Sequence, residues 1–181
     1  MTWPFGSLRP HAYPVIYADP SWRYDTWSPK GAGKSPDMQY PTMTVEEIAA
    51  LPVWRLAAAR CALGLWIYDV LLPQALYVMR SWGFEYKTRL FDWDQDSFGK
   101  GFYTREGGEI CLLGIRGAPP PRRARNVRQY HREKPREHSR KPAEFARRIE
   151  RLWDGPYCEL FSRTERPGWA SWGNELGKFT E

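Results

Sequence analysis

Val15-Ile16-Tyr17-Ala18-Asp19-Pro20-Ser21-Trp22 is a run of strand-forming residues that breaks at an Asp-Pro pair. Four consecutive uncharged, mostly apolar residues suit a strand covered on both faces, as in a parallel sheet, and the proline cannot continue the ladder. Ligands of open α/β sheets bind beyond the carboxyl ends of the strands. Asp19 and the carbonyl of Pro20 would place two acceptors there, which suits an exocyclic amine such as adenine N6 with its two N–H donors. Trp22 adds a ring that can stack on a base, worth about 1–3 kcal/mol.

Outward from this stretch, strands and helices alternate. Residues 23–43 carry Pro29, Gly31, Gly33, Pro36 and Pro41 and read as a long loop, a feature that is usually functional. Thr44 with Glu47 is a capping box that opens a helix through Leu51. A second short helix is predicted from Trp54 to Arg60, then a buried strand from Cys61 to Tyr68. Pro73 to Trp82 reads as a helix stopped by Gly83. Phe84 to Trp93 and Ile110 to Ile115 read as strands around a glycine-containing loop at 94–108. Residues 116–140 read as extended, with a short strand at Val127 to Tyr130. Lys141-Pro142 starts a helix that runs to Trp153, Tyr157 to Phe161 is a strand, and Pro167 to Leu176 is an irregular aromatic tail. The pattern predicts one α/β domain over residues 1–181 with a mostly parallel sheet flanked by helices.

Composition narrows the function. The 181 residues hold 27 Lys or Arg against 21 Asp or Glu, and 10 Trp, 10 Tyr and 8 Phe. Cations that neutralise phosphate and rings that stack on bases suit nucleic acid. The charge is not evenly spread: residues 116–151 hold 13 cations against 4 acids, and the rest of the chain is slightly acidic. We expect that segment to track phosphates through Arg122, Arg123, Arg125 and Arg128, then Arg132 and Arg136. Lys100 and Arg105 in the 94–108 loop join them. His131 and His138 lie in the same basic stretch and read as surface or phosphate-side residues, not as bases.

Other classes recede. No apolar run reaches the length needed to span a membrane. Met1 to Pro10 lacks a signal-peptide pattern, and Cys61, Cys111 and Cys158 are isolated in apolar runs, which suggests reduced core thiols in a cytoplasmic protein. No cysteine or histidine pair has metal spacing, so no metal is expected. Gly31-Ala32-Gly33-Lys34-Ser35 matches only the end of a phosphate-binding loop: Ser28 stands where its first glycine belongs, and Pro36 opposes the helix.

Several motifs in fixed order are more specific. Asp19-Pro20-Ser21-Trp22 is followed by Tyr40-Pro41-Thr42-Met43, Glu46-Glu47-Ile48, Leu65-Trp66, Trp82-Gly83-Phe84 and Gly99-Lys100-Gly101-Phe102-Tyr103. Then come His138-Ser139-Arg140-Lys141-Pro142, Glu159-Leu160-Phe161-Ser162-Arg163 and Trp172-Gly173-Asn174-Glu175. The series, over about residues 14–176, resembles the adenine-N6 methyltransferase family typified by the catalytic subunit of the eukaryotic messenger-RNA N6-adenosine methyltransferase. It is most similar to that family's short bacterial and phage members, taken to act on DNA.

The resemblance implies a Rossmann-like S-adenosylmethionine-dependent methyltransferase fold with permuted motif order, the target-amine motif first and the cofactor strand late. It implies that Asp19 and Pro20 grip the amine of a flipped-out adenine while Trp22 and Tyr40 flank the base. Lys141 would hold the carboxylate of S-adenosylmethionine, and Arg163, Asn174 and Glu175 its ribose. Ser139, Glu159 and Ser162, with Asp19 itself, complete the implied cofactor site. Two departures stand out: Ser21 replaces the family's second proline, and the segment before the first strand holds no clear counterpart of the pocket for the cofactor's adenine. The expected activity is adenine-N6 methylation of DNA by a monomer or homodimer. RNA as substrate, a non-catalytic nucleic-acid-binding partner subunit and methylation of a small molecule are the alternatives.

Overall fold

The computed structural model describes residues 2–23, 42–97, 103–105, 107–136 and 140–178. Its strands form one sheet, and in chain order they are β1 (Tyr13–Ala18), β2 (Ala57–Ile67), β3 (Glu85–Asp94), β4 (Gly108–Arg116), β5 (Tyr130–Arg132), β6 (Tyr157–Leu160) and β7 (Trp169–Trp172). Across the sheet the order is β5-β3-β4-β2-β1-β6-β7. β1 pairs in parallel with β2 and β6, β6 with β7, and β3 with β5. β4 alone runs against its neighbours β2 and β3. The fold is therefore the expected α/β arrangement with a mostly parallel sheet, and β1 sits inside it.

Helices cover both faces. The alternation of the strands sends Ile16, Ala18, Leu63, Leu65, Cys158 and Leu160 to one face, under α1 (Val45–Ala50) and α2 (Leu72–Ser81). It sends Val15, Tyr17, Ala62, Trp66 and Cys111 to the other, under α3 (Ala143–Leu152). Phe145 and Ile149 of α3 are fully buried, each contributing roughly 1.5–3 kcal/mol. α1 begins with the predicted capping box, Thr44 and Glu47 bonding each other's backbone N–H groups.

Three expectations are corrected. The helix predicted at Trp54 to Arg60 is a single 3-10 turn, Val53–Arg55, and β2 begins at Ala57. Ala57, Ala58 and Ala59 favour a helix intrinsically, but parallel pairing with Tyr13 outweighs that small preference. The tail is not irregular: Trp169–Trp172 pairs with all four residues of β6. The short strand expected from Val127 to Tyr130 lies at Tyr130–Arg132, where β3 receives it.

Candidate active site

Where β1 ends, the chain has no further strand partner and turns. Trp22 N–H donates to the Pro20 carbonyl at 2.9 Å, closing a three-residue turn with Ser21 at its centre. That carbonyl keeps a second lone pair. Ser21 O accepts from Met43 N–H and Met43 O accepts from Arg23 N–H, each at 2.9 Å, so residues 21–23 and Met43 are held side by side. Tyr40 and the Gly31–Ser35 stretch lie outside the described residues. Trp22 is 3 % exposed and its indole N–H donates to the Trp66 carbonyl at 3.0 Å. It forms a fixed wall of the cleft.

Lys141, four residues before the first buried side chain of α3, projects back to the same edge. Its Nζ donates to Asp19 Oδ2 at 2.8 Å and sits 3.0 Å from Glu109 Oε2. The ammonium also lies 5.3 Å from the Trp66 ring centroid. Glu109 is held on its other oxygen by Gln95 Nε2 at 3.0 Å. The Lys141 and Glu109 side chains are 6 % and 5 % exposed and Asp19 is 22 % exposed. Burial would lower the pKa of Lys141, but Asp19 and Glu109 outweigh it and push it up, so the ammonium stays charged. Burial pushes the Glu109 carboxyl up, against the pull of Lys141.

Glu109 and Gln95 were missed from the sequence. The only signal was a lone carboxylate in an apolar run, Glu109-Ile110-Cys111-Leu112. What gives it a role is the reversal of β4, which brings that strand's first residues to the edge where the parallel strands end.

A cleft opens beside these residues. Asp19, Pro20, Ser21, Trp22 and Glu109 line it, and so do Phe161, Arg163, Gly173, Asn174 and Glu175 from the ends of β6 and β7. The structure thus brings the residues expected at the amine and those expected at a ribose into one cavity. Arg163 Nε lies 3.9 Å from Glu175 Oε2. Phe161 adopts a left-handed conformation, φ 61°, which is rare for a bulky residue and turns the chain sharply off β6. The Ser162 hydroxyl does not face the cleft: it donates to the Thr164 carbonyl and accepts from the Thr164 N–H. Glu159 faces the α3 side and pairs with Arg166 at 3.2 Å. Ser139 lies outside the described residues.

The expected phosphate contacts are not one cluster. Arg123 bonds the carbonyls of Leu152 and Glu150 and lies 3.3 Å from Asp154, all at the C-terminal end of α3. Arg132 sits at the opposite edge, 3.3 Å from Asp94 and 2.7 Å from Asp96. Arg122, Arg125 and Arg128 are exposed between them, and Arg136 lies 3.9 Å from Glu133. Arg105 lines a second, open hollow that shares Glu109 with the first. Lys100 and His138 lie outside the described residues. His131 is not at the surface: its ring is half-buried edge-on against Phe145, between Arg148 and Glu133, because β5 is drawn in by α3.

Among the described residues, no helix is long and apolar enough to cross a membrane, and no group of His, Cys, Asp and Glu could hold a metal ion. A family model described as MT-A70 matches residues 13–175. Over 189 aligned residues the chain is 34 % identical to "Type II methyltransferase M.MunI" of Mycoplasma sp, covering 95 % of this chain and 81 % of that protein. It is 65 % identical over 26 residues to the human "N(6)-adenine-specific methyltransferase METTL4", covering 14 % of this chain and 6 % of that one. It is 28 % identical over 172 residues to a Medicago truncatula "Putative N(6)-adenosine-methyltransferase MT-A70-like", covering 90 % of this chain and 26 % of that one.

Proposed function

Because this chain belongs to the MT-A70 family of methyltransferases, we propose that it methylates the N6 amine of adenine in DNA with S-adenosylmethionine as methyl donor. The observation that carries the reading is the single cleft lined both by Asp19 and Pro20 and by Arg163, Asn174 and Glu175. The residues fit the cofactor chemically. The Lys141 ammonium has three N–H donors and spends two on Asp19 and Glu109, leaving one for a carboxylate. Lys141 lies behind the Asp19 and Glu109 that line the cleft, and Asn174 and Glu175, which line it too, offer acceptors for sugar hydroxyls. When bound, S-adenosylmethionine supplies a methyl group on a positively charged sulfur.

The work of the chain is at the amine. Its lone pair is delocalised into the purine ring, so it is a poor nucleophile. Asp19 and the free lone pair of the Pro20 carbonyl accept its two N–H bonds, which favours a localised lone pair and the positive charge that develops on nitrogen. Asp19 is then the acceptor already bonded to the proton that the amine sheds. Trp22, fixed by Trp66, gives the target base a wall against which to settle, and duplex substrate must present that base flipped out.

DNA is supported by the relative aligned along most of this chain, named a Type II methyltransferase, and by the human relative, whose name specifies adenine. RNA is the second reading, favoured by the adenosine in the name of the Medicago relative. The test offers methyl-labelled S-adenosylmethionine with separate DNA and RNA pools. Label is expected in DNA as N6-methyladenine; label in RNA alone would move the substrate to the second reading. No transfer to either, with no thermal shift on adding cofactor, would overturn the proposal. Asp19→Ala should lower transfer at least 100-fold while DNA affinity stays within about threefold.

A further inference from the structure

The segment between β4 and α3 carries six exposed arginines among the described residues, yet only three of its residues belong to a strand. One buried side chain holds its middle in place. Arg148 of α3 is 8 % exposed. Its Nη1 donates to the carbonyls of both Arg128 and Tyr130 at 3.0 Å. Its Nε donates to Glu144 Oε1 at 2.9 Å, and its Nη2 lies 3.4 Å from His131 Nδ1. The guanidinium thus places four contacts around one plane, and Glu144 balances its charge. His131 Nε2 in turn lies 2.9 Å from Glu133 Oε2. The Glu133 carbonyl accepts from the Trp93 indole at 2.7 Å.

We propose that Arg148 is a positioning residue for nucleic acid: it clamps residues 123–133 as a strap along α3, so that their arginines form a preformed track for a phosphate backbone leading to the cleft. This rests on the nucleic-acid reading above. Arg123 pins one end of the strap at the last turn of α3, and β5 pins the other beside Asp92–Asp94 of β3. Ten residues of α3 span about 15 Å, close to the rise of about four base-pair steps along a duplex axis at 3.4 Å each. Arg122, Arg125, Arg128 and Arg132 are exposed along that length. Tyr130, whose carbonyl Arg148 grips, is 52 % exposed at the second hollow, its hydroxyl tied to Asp94. A phosphate track held this way keeps its ordering entropy out of the binding step.

Arg148→Met keeps the stem and removes every donor, whereas Arg148→Lys keeps the charge but cannot fork to two carbonyls and a carboxylate. For both, amide exchange over residues 128–133, affinity for a short duplex across a salt series, and affinity for S-adenosylhomocysteine are measured. Expected are faster exchange of those amides, about tenfold weaker duplex binding at 0.1 M salt with a salt slope shallower by about 1–2, and cofactor-product affinity within twofold. If Arg148→Met does not fold, Arg148→Lys decides. Wild-type exchange and duplex binding in the folded variants would overturn the proposal, and so would a parallel loss of cofactor-product affinity, which marks a merely structural role. If the wild-type protein binds no nucleic acid, the functional reading fails, and the track with it, while the exchange arm still reads the clamp by itself.

Discussion

Lys141 carries its charge into a site where water hardly reaches, and two carboxylates make that tolerable. Removing one leaves a buried charge short of a partner, typically a loss of about 3–5 kcal/mol. Glu109→Ala should therefore lower the melting temperature by about 6–20 °C for a domain of this size, read by a thermal melt. Glu109→Gln, which keeps the contact with Gln95 and can still accept from Lys141, should recover part of that loss; a melt unchanged in both would deny Glu109 its part in the cluster. Asp19 was marked by its place at the end of an apolar strand run, whereas Lys141, Arg163, Asn174 and Glu175 were marked only by the family resemblance. Glu109 was marked by neither, because its meaning depends on which way β4 runs, and a continuous apolar run such as Ile110 to Ile115 carries no mark of direction.

The elements were easiest to read where local and tertiary preferences agree, as at Thr44 and Glu47, and hardest where pairing decides, as at Ala57 to Arg60 and at Trp169 to Trp172. β7 shows why. It has four residues and matters only because Ser162 N–H bonds Trp172 O at 3.0 Å, which folds the turn after β6 against the turn after β7. Gly173 makes that approach possible: a Cβ there would overlap the carbonyl oxygen of Ser162 and come within 2.7 Å of its nitrogen. Gly173→Ala should cost about 1–3 kcal/mol by overpacking. Because Arg163, Asn174 and Glu175 all hang from these two turns, calorimetric titration with S-adenosylhomocysteine should show about tenfold weaker binding. Full affinity in a folded variant would mean that the turns do not set the cavity.

Across the whole molecule, the sequence showed where the excess positive charge lies but not its shape. It is drawn out along α3 because one side chain, Arg148, reaches two carbonyls that no motif marks. The titratable interior has a global effect as well. Burial pushes the Cys61 thiol up to about 12 and raises Cys111, Cys158 and Tyr17, while Asp19 and Glu109 overcome burial and raise Lys141. Each of these groups keeps its proton longer in the folded state than in the unfolded chain. Above the unfolded values the unfolded chain binds fewer protons, so stability falls as pH rises. The loss begins near pH 9 with the thiols and steepens above pH 10 as Tyr17 and Lys141 join, up to about 1.4 kcal/mol per pH unit for each group engaged. Melts from pH 7 to 10.5 should show that profile, and Cys61→Ala should soften its onset; a melting temperature constant to pH 10 would contradict it.

The interior position of β1 also dictates when the sheet can be finished. Its residues leave the ribosome before those of β6, so Val15 to Ala18 wait for Tyr157 to Leu160 to complete their pairing. Trp172 then closes back onto the carbonyl of Pro4 at 3.0 Å. Such distant pairing is slow to form, and until it forms one flank of the apolar β1 is an open edge that can recruit other chains. A nascent chain interrupted anywhere before residue 157 is thus an unfinished sheet in which β1 still lacks one neighbour.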